Sequence, residues 1–262
     1  MKQEMKVSVV MPVYNGSAVI RQAIDSVAAQ QVPLELIIVD DCSTDNTAGI
    51  VKACQMQWAG FADKSLIYMR NKKNTGAAAS RNAGVLKASA PWTAFLDADD
   101  WWTPDKLMRQ LEFLEETGDV LCCTARELMD VSGKSLHKII HVKKTITYKD
   151  LLFHNSINCS SVIVRTSVIR KFPMCYEDSH EDYITWLKIL KQYGQACAID
   201  EPMLKYRFSA GSKSGNKLKS AKMTFKVYRY MGFNIICSVL MFISYAVHGV
   251  LKYTGKKQEG QK

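Results

Sequence analysis

Short apolar runs alternate with amphipathic stretches from the start of the chain. The run Val7 to Val13 is followed by helical spacing from Ala18 to about Gln30, and then by the run Leu36 to Val39. Uninterrupted apolar runs of this length suit strands that are covered on both faces. The rhythm continues with a helix after Asn46, the run Leu66 to Met69, an alanine-rich helix from about Gly76 to Ala88, and the run Trp92 to Leu96. Such a βαβ succession predicts an α/β fold, a mostly parallel mixed sheet with helices on both faces. Open sheets of this kind bind ligands at the carboxyl ends of their strands, so Asp40, Asp41, Asp97 and Asp99 are expected along one edge.

After Leu96 the texture changes. Thr103, Pro104 and Asp105 read as a helix start, with the threonine as cap and the proline in the first turn. Val120 to Thr124 reads as a strand, and Asp130 to Gly133 as a turn between two exposed antiparallel strands. Cys159 to Arg165 reads as a further strand rich in β-branched residues, and Tyr183 to Tyr193 has helical spacing. The second half is therefore expected to extend the same sheet.

Charge changes the picture at the C-terminus. Of 35 Lys and Arg residues, 12 fall within 205–262, where Glu259 is the only acid; the net charge of +10 thus belongs to the tail. Within that tail, Met231 to Leu251 carries no charge and is flanked by Lys226, Arg229, Lys252, Lys256 and Lys257. The stretch is long enough to span a bilayer. Asn234, Ser238, Tyr245 and His248 share one helical face, however, which favours a helix lying in the membrane interface, and a buried core helix is the remaining reading. A basic tail beside an apolar stretch suits an anionic membrane surface. Nucleic acid is not an expected partner, because the tail lacks an aromatic stacking platform.

The remaining composition is ordinary for a folded domain: 262 residues, 47% hydrophobic and 23% charged. No secretory leader is read after Met1, which predicts a cytosolic catalytic part. Eight cysteines without a C-x-x-C pair argue against a zinc site or a disulfide framework, and read as mostly buried thiols.

Three clusters carry candidate chemistry. Val10 to Gly16 and Ile38 to Thr47 bring a turn, the Tyr14 ring and the paired carboxylates Asp40 and Asp41 to neighbouring strand ends. A carboxylate there suits a base or ribose, while Asp45 and Thr47 suit a helix cap. No G-x-G-x-x-G follows the first strand, which disfavours a dinucleotide enzyme. In the second cluster, Asn74 to Gly84, small residues allow close helix approach and Arg81 is placed to reach a carboxylate or a diphosphate. The third, Asp97-Ala98-Asp99-Asp100, sets three acids within four residues. Hard oxygen ligands suit Mg2+ or Mn2+ with positions left for phosphate oxygens, although a solvated acidic turn would look the same.

Taken in order, Pro12, Tyr14 and Asn15, then Val39-Asp40-Asp41 with Ser43-Thr44-Asp45, then Asn74 to Gly84 with Arg81, then Phe95 to Asp100, then Glu181-Asp182 before an aromatic helix, the chain resembles the family 2 inverting glycosyltransferases of the GT-A fold. The similarity runs over about 5–215 and is strongest to bacterial enzymes that build capsule, O-antigen or teichuronic-acid repeat units on a lipid carrier.

That resemblance implies a donor that is a nucleotide-diphosphate sugar, expected to be a UDP-sugar, and a glycan or lipid-linked acceptor. Residues 1–100 would form the nucleotide-binding half, 101–216 the acceptor half, and 217–262 a basic, membrane-associating segment that holds the enzyme on the cytoplasmic side of the membrane as a peripheral or monotopic protein. Pro12, Tyr14 and Asn15 would line the nucleotide pocket. Asp41, with Asp40, would contact the uracil or ribose, and Arg81 would support the phosphates and the acid cluster. Asp99 would ligate Mn2+ or Mg2+, Asp97 would assist at the ribose or sugar, and Asp182 would be the general base. Tyr206 and Arg207 resemble a loop that closes over the diphosphate, with Ser209 where many members have His. Cys42 stands where the family usually has Gly. A processive synthase is disfavoured by the lack of a Gln-x-x-Arg-Trp motif, and a nucleotidyltransferase by the lack of a basic Gly-rich loop; a non-catalytic nucleotide-sugar-binding module is the remaining alternative.

Overall fold

The computed structural model describes residues 4–176, 178–208 and 217–254, with side chains through 208 and again over 220–245. The last part of the expected closing loop, including Ser209, lies outside the described residues. The first half runs β1 (Val7–Val13), α1 (Ile20–Ala28), β2 (Leu34–Asp40), α2 (Thr47–Trp58), β3 (Lys64–Arg70), α3 (Ala77–Lys87) and β4 (Trp92–Phe95). Each lies within a few residues of the element its hydrophobic pattern predicts. Every residue of β1 and β2 is buried, the reason both read as unbroken apolar runs.

The second half contains β5 (Trp101–Trp102), α4 (Lys106–Thr117), β6 (Leu121–Met129), β7 (Ser135–Ile140), β8 (Thr145–Thr147), α5 (Tyr148–Phe153), a 3-10 turn (Cys159–Ser161), β9 (Ile163–Arg165), α6 (Thr166–Ile169), α7 (Glu181–Tyr193), β10 (Gln195–Arg207), α8 (Lys217–Tyr230) and α9 (Ile235–Thr254). The strands form one sheet in the order β3-β2-β1-β4-β9-β6-β10-β5, with β7 beside β6 and β8 beside β10. Parallel pairing is confined to β1 with β2 and β4, β2 with β3, and β6 with β10. The other pairs are antiparallel, so the sheet as a whole is mixed and the mostly parallel character stops at β4.

Two local expectations are corrected. Only the end of the Cys159 to Arg165 run is a strand, because the Asn158 side chain accepts from Ser160 N at 2.9 Å and winds the preceding residues into a turn. Thr103 does not cap α4: its hydroxyl is buried without a hydrogen bond, and the Gln30 side chain, from just past the end of α1, accepts from Leu107 N at 3.0 Å instead. A residue 77 positions away thus satisfies a helix-end donor that the local sequence seemed to cover.

The sheet is packed on both faces. Val10, Phe95, Tyr183, Trp186 and Leu187 belong to one core, and Val9, Met11, Ile24, Leu36 and Trp102 to the other. Helices α8 and α9 join the first core. Val227 and Tyr228 are fully buried, and the Tyr228 hydroxyl donates to the Leu152 carbonyl at 3.0 Å. Ser238 and Tyr245, expected on a water-facing side of α9, face the protein: Ser238 is fully buried, and the Tyr245 ring lies 6.4 Å from that of Tyr183. The outward face of α9 is apolar, with Ile235, Ile236, Val239, Leu240 and Ile243 exposed. Among the described residues no helix is long and apolar enough to cross a membrane.

Candidate active site

The strand order reverses at β1. Chain order moves outward through β2 and β3, then returns to β4 on the opposite side, and such a switch opens a crevice at the carboxyl ends of β1 and β4. Pro12 sits at its lip. The Val10 carbonyl accepts from Leu96 N on the β4 side and the Val13 carbonyl from Asp41 N on the β2 side. By alternation, the Pro12 nitrogen points toward β4, beyond the last paired residue Phe95, where no ladder hydrogen bond is lost. Tyr14 follows, 52% exposed as a residue and available for stacking at the crevice mouth. The close approach of α3 to β1 depends on Gly84, where a Cβ would stand 2.4 Å from Val10 Cγ1.

The β1 and β2 ends are tied together. Asn15, at φ 51°, donates its backbone N–H to Ser43 Oγ at 2.9 Å and accepts Thr44 N at its side-chain oxygen at 2.8 Å. Asp40 is fully buried and accepts from Ser43 N at 2.7 Å and from the Tyr68 hydroxyl at 2.5 Å. Asp41 accepts from the Asn71 side chain at 2.7 Å, from Thr75 N at 2.9 Å and from Gly76 N at 2.7 Å. Burial opposes ionisation of Asp41, but these hydrogen bonds outweigh it and hold the carboxyl below its usual range. Both carboxylates, read from the sequence as nucleotide contacts, are thus engaged by protein donors that fix the pocket loops. Cys42, between Asp41 and Ser43, has φ 68°, a left-handed conformation in which the glycine that the resemblance leads one to expect here would be unstrained.

The acid turn joins β4 to β5. Asp97 N donates to Ser160 Oγ at 3.1 Å, and its carboxylate takes Arg81 Nη2 at 2.6 Å. Arg81, buried on α3, reaches Glu181 with Nη1 at 3.2 Å. Burial alone would lower the Arg81 pKa; the flanking carboxylates raise it well above the usual value, so it is a permanent cation. One guanidinium therefore holds the first turn of α7 against the strand end carrying the acid cluster. Glu181 is spent on that pair, while its neighbour Asp182, half-buried, makes no side-chain ion pair among the described residues; its carboxylate accepts the helix-start bond from Tyr183 N at 2.8 Å. Burial and the Glu181 charge raise the Asp182 pKa, against the opposing pull of Arg81, which is the direction a proton acceptor needs.

Tyr206 and Arg207 end β10 beside this turn. Arg207 is the more occupied: its backbone N–H donates to Asp100 at 2.9 Å, Nε to the Asp99 carbonyl at 3.0 Å, Nη1 to the Val131 carbonyl at 2.7 Å and Nη2 to the Gln22 side chain at 2.8 Å. Its guanidinium also stacks on Trp101 at 5.0 Å. Arg207 thus braces the acid turn from outside. Tyr206 is partly buried against the second core, with the Arg126 guanidinium 5.8 Å from its ring.

The donor set fits a hard divalent cation. Asp99 is open at its outer edge, yet burial and the Asp97 charge push its carboxyl up to about 6 against the opposing pull of Arg207 and Arg81, so a further cation there would be favoured. Among the described residues no group of three His, Cys, Asp or Glu side chains forms a closed cage. A cation held by one or two carboxylates and completed by phosphate oxygens and water needs none.

Several supporting residues were not legible in the sequence. Asn71 and Thr75 hold Asp41, Ser160 holds Asp97, and Lys106, fully buried, bonds Gln110 Oε1 at 2.6 Å with its ammonium 4.1 Å from the centroid of the Trp102 ring. Burial lowers the Lys106 pKa to about 7. Only its i, i+4 spacing to Gln110 on an amphipathic helix hints at that pairing.

The family model described as glycosyl transferase family 2 matches residues 8–173. A Bacillus subtilis protein named as a teichuronic acid biosynthesis glycosyltransferase, TuaG, is 36% identical over 94% of this chain and 96% of its own. An Escherichia coli protein named UDP-Glc:alpha-D-GlcNAc-diphosphoundecaprenol beta-1,3-glucosyltransferase WfgD is 30% identical over 98% of both chains. The crystal structure of Staphylococcus aureus TarS residues 1–349 with UDP-GlcNAc superimposes with a TM-score of 0.71 at 17% identity, covering 97% of this chain and 77% of that one. With the sequence motifs gathered at one crevice and relatives of this similarity along nearly its whole length, the chain belongs to glycosyl transferase family 2 and is a glycosyltransferase.

Proposed function

We propose that the protein transfers a hexosyl unit from a UDP-sugar to a lipid diphosphate-linked sugar, with inversion, during assembly of a bacterial surface polysaccharide. The observation that carries this reading is the Arg81 bridge, which sets Asp182 beside the strand end bearing Asp97 and Asp99. Pro12, Tyr14 and Asn15 line the nucleotide pocket, and Asp40 and Asp41 hold the loops that shape it. Tyr206 and Arg207 brace the diphosphate side. Asp99 would hold Mn2+ or Mg2+, which when bound would supply charge neutralisation for the departing diphosphate. Asp97 orients the ribose or sugar while Arg81 holds it in place. Asp182 accepts the proton of the attacking hydroxyl, and a single displacement from the opposite face needs no enzyme nucleophile.

The apolar outer face of α9 and the basic tail support a peripheral position on the cytoplasmic membrane surface, where a lipid-linked acceptor would be found. Five exposed aliphatic side chains on one helix face, beside a segment of 12 basic residues and one acid, match an anionic lipid surface better than a polar partner.

UDP release is measured from UDP-glucose with Mn2+ and a synthetic alkyl diphosphate-linked N-acetylglucosamine. Acceptor-dependent release that disappears in EDTA and in Asp182→Asn, while donor binding persists, supports the assignment. Near wild-type transfer by Asp182→Asn overturns the base, with Glu181 next to be tested; donor binding without any release, with every sugar tried, favours the non-catalytic binding module. Membrane position is read separately by sedimentation with anionic vesicles, which Ile236→Glu with Leu240→Glu should abolish.

A further inference from the structure

The loop leading into α7 ends just before the residue assigned as base, yet its outer side is held by α8, an element from a different part of the sequence. On the inner side, Met174 exchanges two hydrogen bonds with the Asn82 side chain on α3, at 2.6 and 2.9 Å. On the outer side, the Tyr176 ring stacks on Tyr230 with centroids 4.0 Å apart and planes 10° from parallel. Asp178 pairs with Lys226 and accepts from the Tyr230 hydroxyl at 3.0 Å. His180 Nε2 lies 3.3 Å from Ser220 Oγ, and His180 is the residue immediately before α7. Three positions of α8 thus grip three alternate positions of one loop, the last two residues short of Asp182.

The loop needs such a grip. Tyr176 is held at φ 68°, a left-handed conformation that costs about 1–2 kcal/mol for a non-glycine residue. The bonds from Ser179 N and Oγ to the Tyr176 carbonyl, at 2.9 and 2.8 Å, fix the turn but leave its aromatic ring outside. Among the described residues, the stack on Tyr230 and the Lys188 ammonium, 5.6 Å from the ring centroid, engage that ring. Helix α8 is itself anchored through Val227 and Tyr228 in the core, so it is a rigid backing for the loop.

We infer that α8 is a clasp whose residues Tyr230, Lys226 and Ser220 position Tyr176, Asp178 and His180 and thereby Asp182 for proton removal from the acceptor. These are positioning residues. The inference rests on the assignment of Asp182 as the base, and it gives the C-terminal segment a role in turnover beyond attachment to a membrane.

The test uses the full chain with Tyr230→Leu, Tyr230→Phe and Lys226→Met. The acceptor probe is the alkyl diphosphate-linked N-acetylglucosamine, the donor UDP-glucose with Mn2+, and amide hydrogen exchange is followed over 174–184 and over β1 to β4. Misplacing a reacting group by about 1 Å costs on the order of 100-fold. Tyr230→Leu and Lys226→Met should accordingly lower kcat about tenfold or more with donor Kd unchanged, and speed exchange over 174–184 alone. Tyr230→Phe, which keeps the stack, should retain most of the rate. An unchanged kcat, a loss of donor affinity in place of turnover, or exchange that rises equally through β1 to β4 overturns the clasp. If the wild type does not use this acceptor, the proposed acceptor class fails, and unchanged exchange over 174–184 in both variants then overturns the clasp on its own.

Discussion

Replacing Arg81 with methionine removes the charge that joins the two halves of the site while keeping most of the packed volume. Arg81 and Glu181 side chains are each 7% exposed, whereas Asp97 is 33% exposed. The two partners should therefore respond unequally. Stranding a buried carboxylate by deleting its cation costs about 3–5 kcal/mol, whereas a partly solvated partner such as Asp97 contributes about 1 kcal/mol or less. Most of the loss should then be traceable to Glu181, and for a chain of this size it corresponds to a melting point lower by about 6–20 °C. Urea and thermal unfolding of Arg81→Met, Glu181→Gln and the double variant measure this directly. The double variant should recover most of the deficit, because the stranded charge is gone, and Asp97→Asn in the Arg81→Met background should recover little. A single-variant loss below about 1 kcal/mol, or strictly additive effects in the double, would refute the view that this buried triad holds α7 to the acid turn.

Three further outcomes follow from the geometry. Asp182 must be deprotonated to act, and burial beside Glu181 raises its pKa, so kcat should fall as the pH drops through a value above the ordinary aspartate pKa of about 3.9; an acid limb at or below that value in a pH–kcat profile contradicts the assignment. Gly84→Ala places a methyl carbon 2.4 Å from Val10 Cγ1 and should cost about 1–3 kcal/mol in a urea titration, with donor affinity lost in parallel as α3 is pushed off β1; a neutral result means that α3 does not pack as described. Cys42→Gly relieves a left-handed residue and should stabilise the chain by up to about 1 kcal/mol once the entropy of the added glycine is deducted, as read from the urea midpoint.

The first half of the sheet and the family of the enzyme were legible in the sequence alone. Strands β1, β2 and β4 are apolar runs because both faces of the sheet are covered; Pro12 lies near the end of the first, and Asp41 and Asp97 come just after the other two, so local pattern places them at strand ends. Strand β10 was hidden because Asp200, Glu201 and Pro202 interrupt its pattern at a register shift between Ile199 and Leu204, where the strand need not keep its alternation. How the carboxylates divide their tasks depends on contacts made across the fold. Glu181 and Asp182 are adjacent in sequence and chemically alike; Arg81, 100 residues away, engages one and leaves the other open to its own role. Asp41 looked free until Asn71, Thr75 and Gly76 closed on it. The tail is the sharpest case: its charge and apolar stretch are legible from composition, but which face of α9 turns to the protein depends on the core formed by Tyr183, Val227 and Tyr228. Polar residues at helical spacing mark a face without saying whether water or protein lies against it.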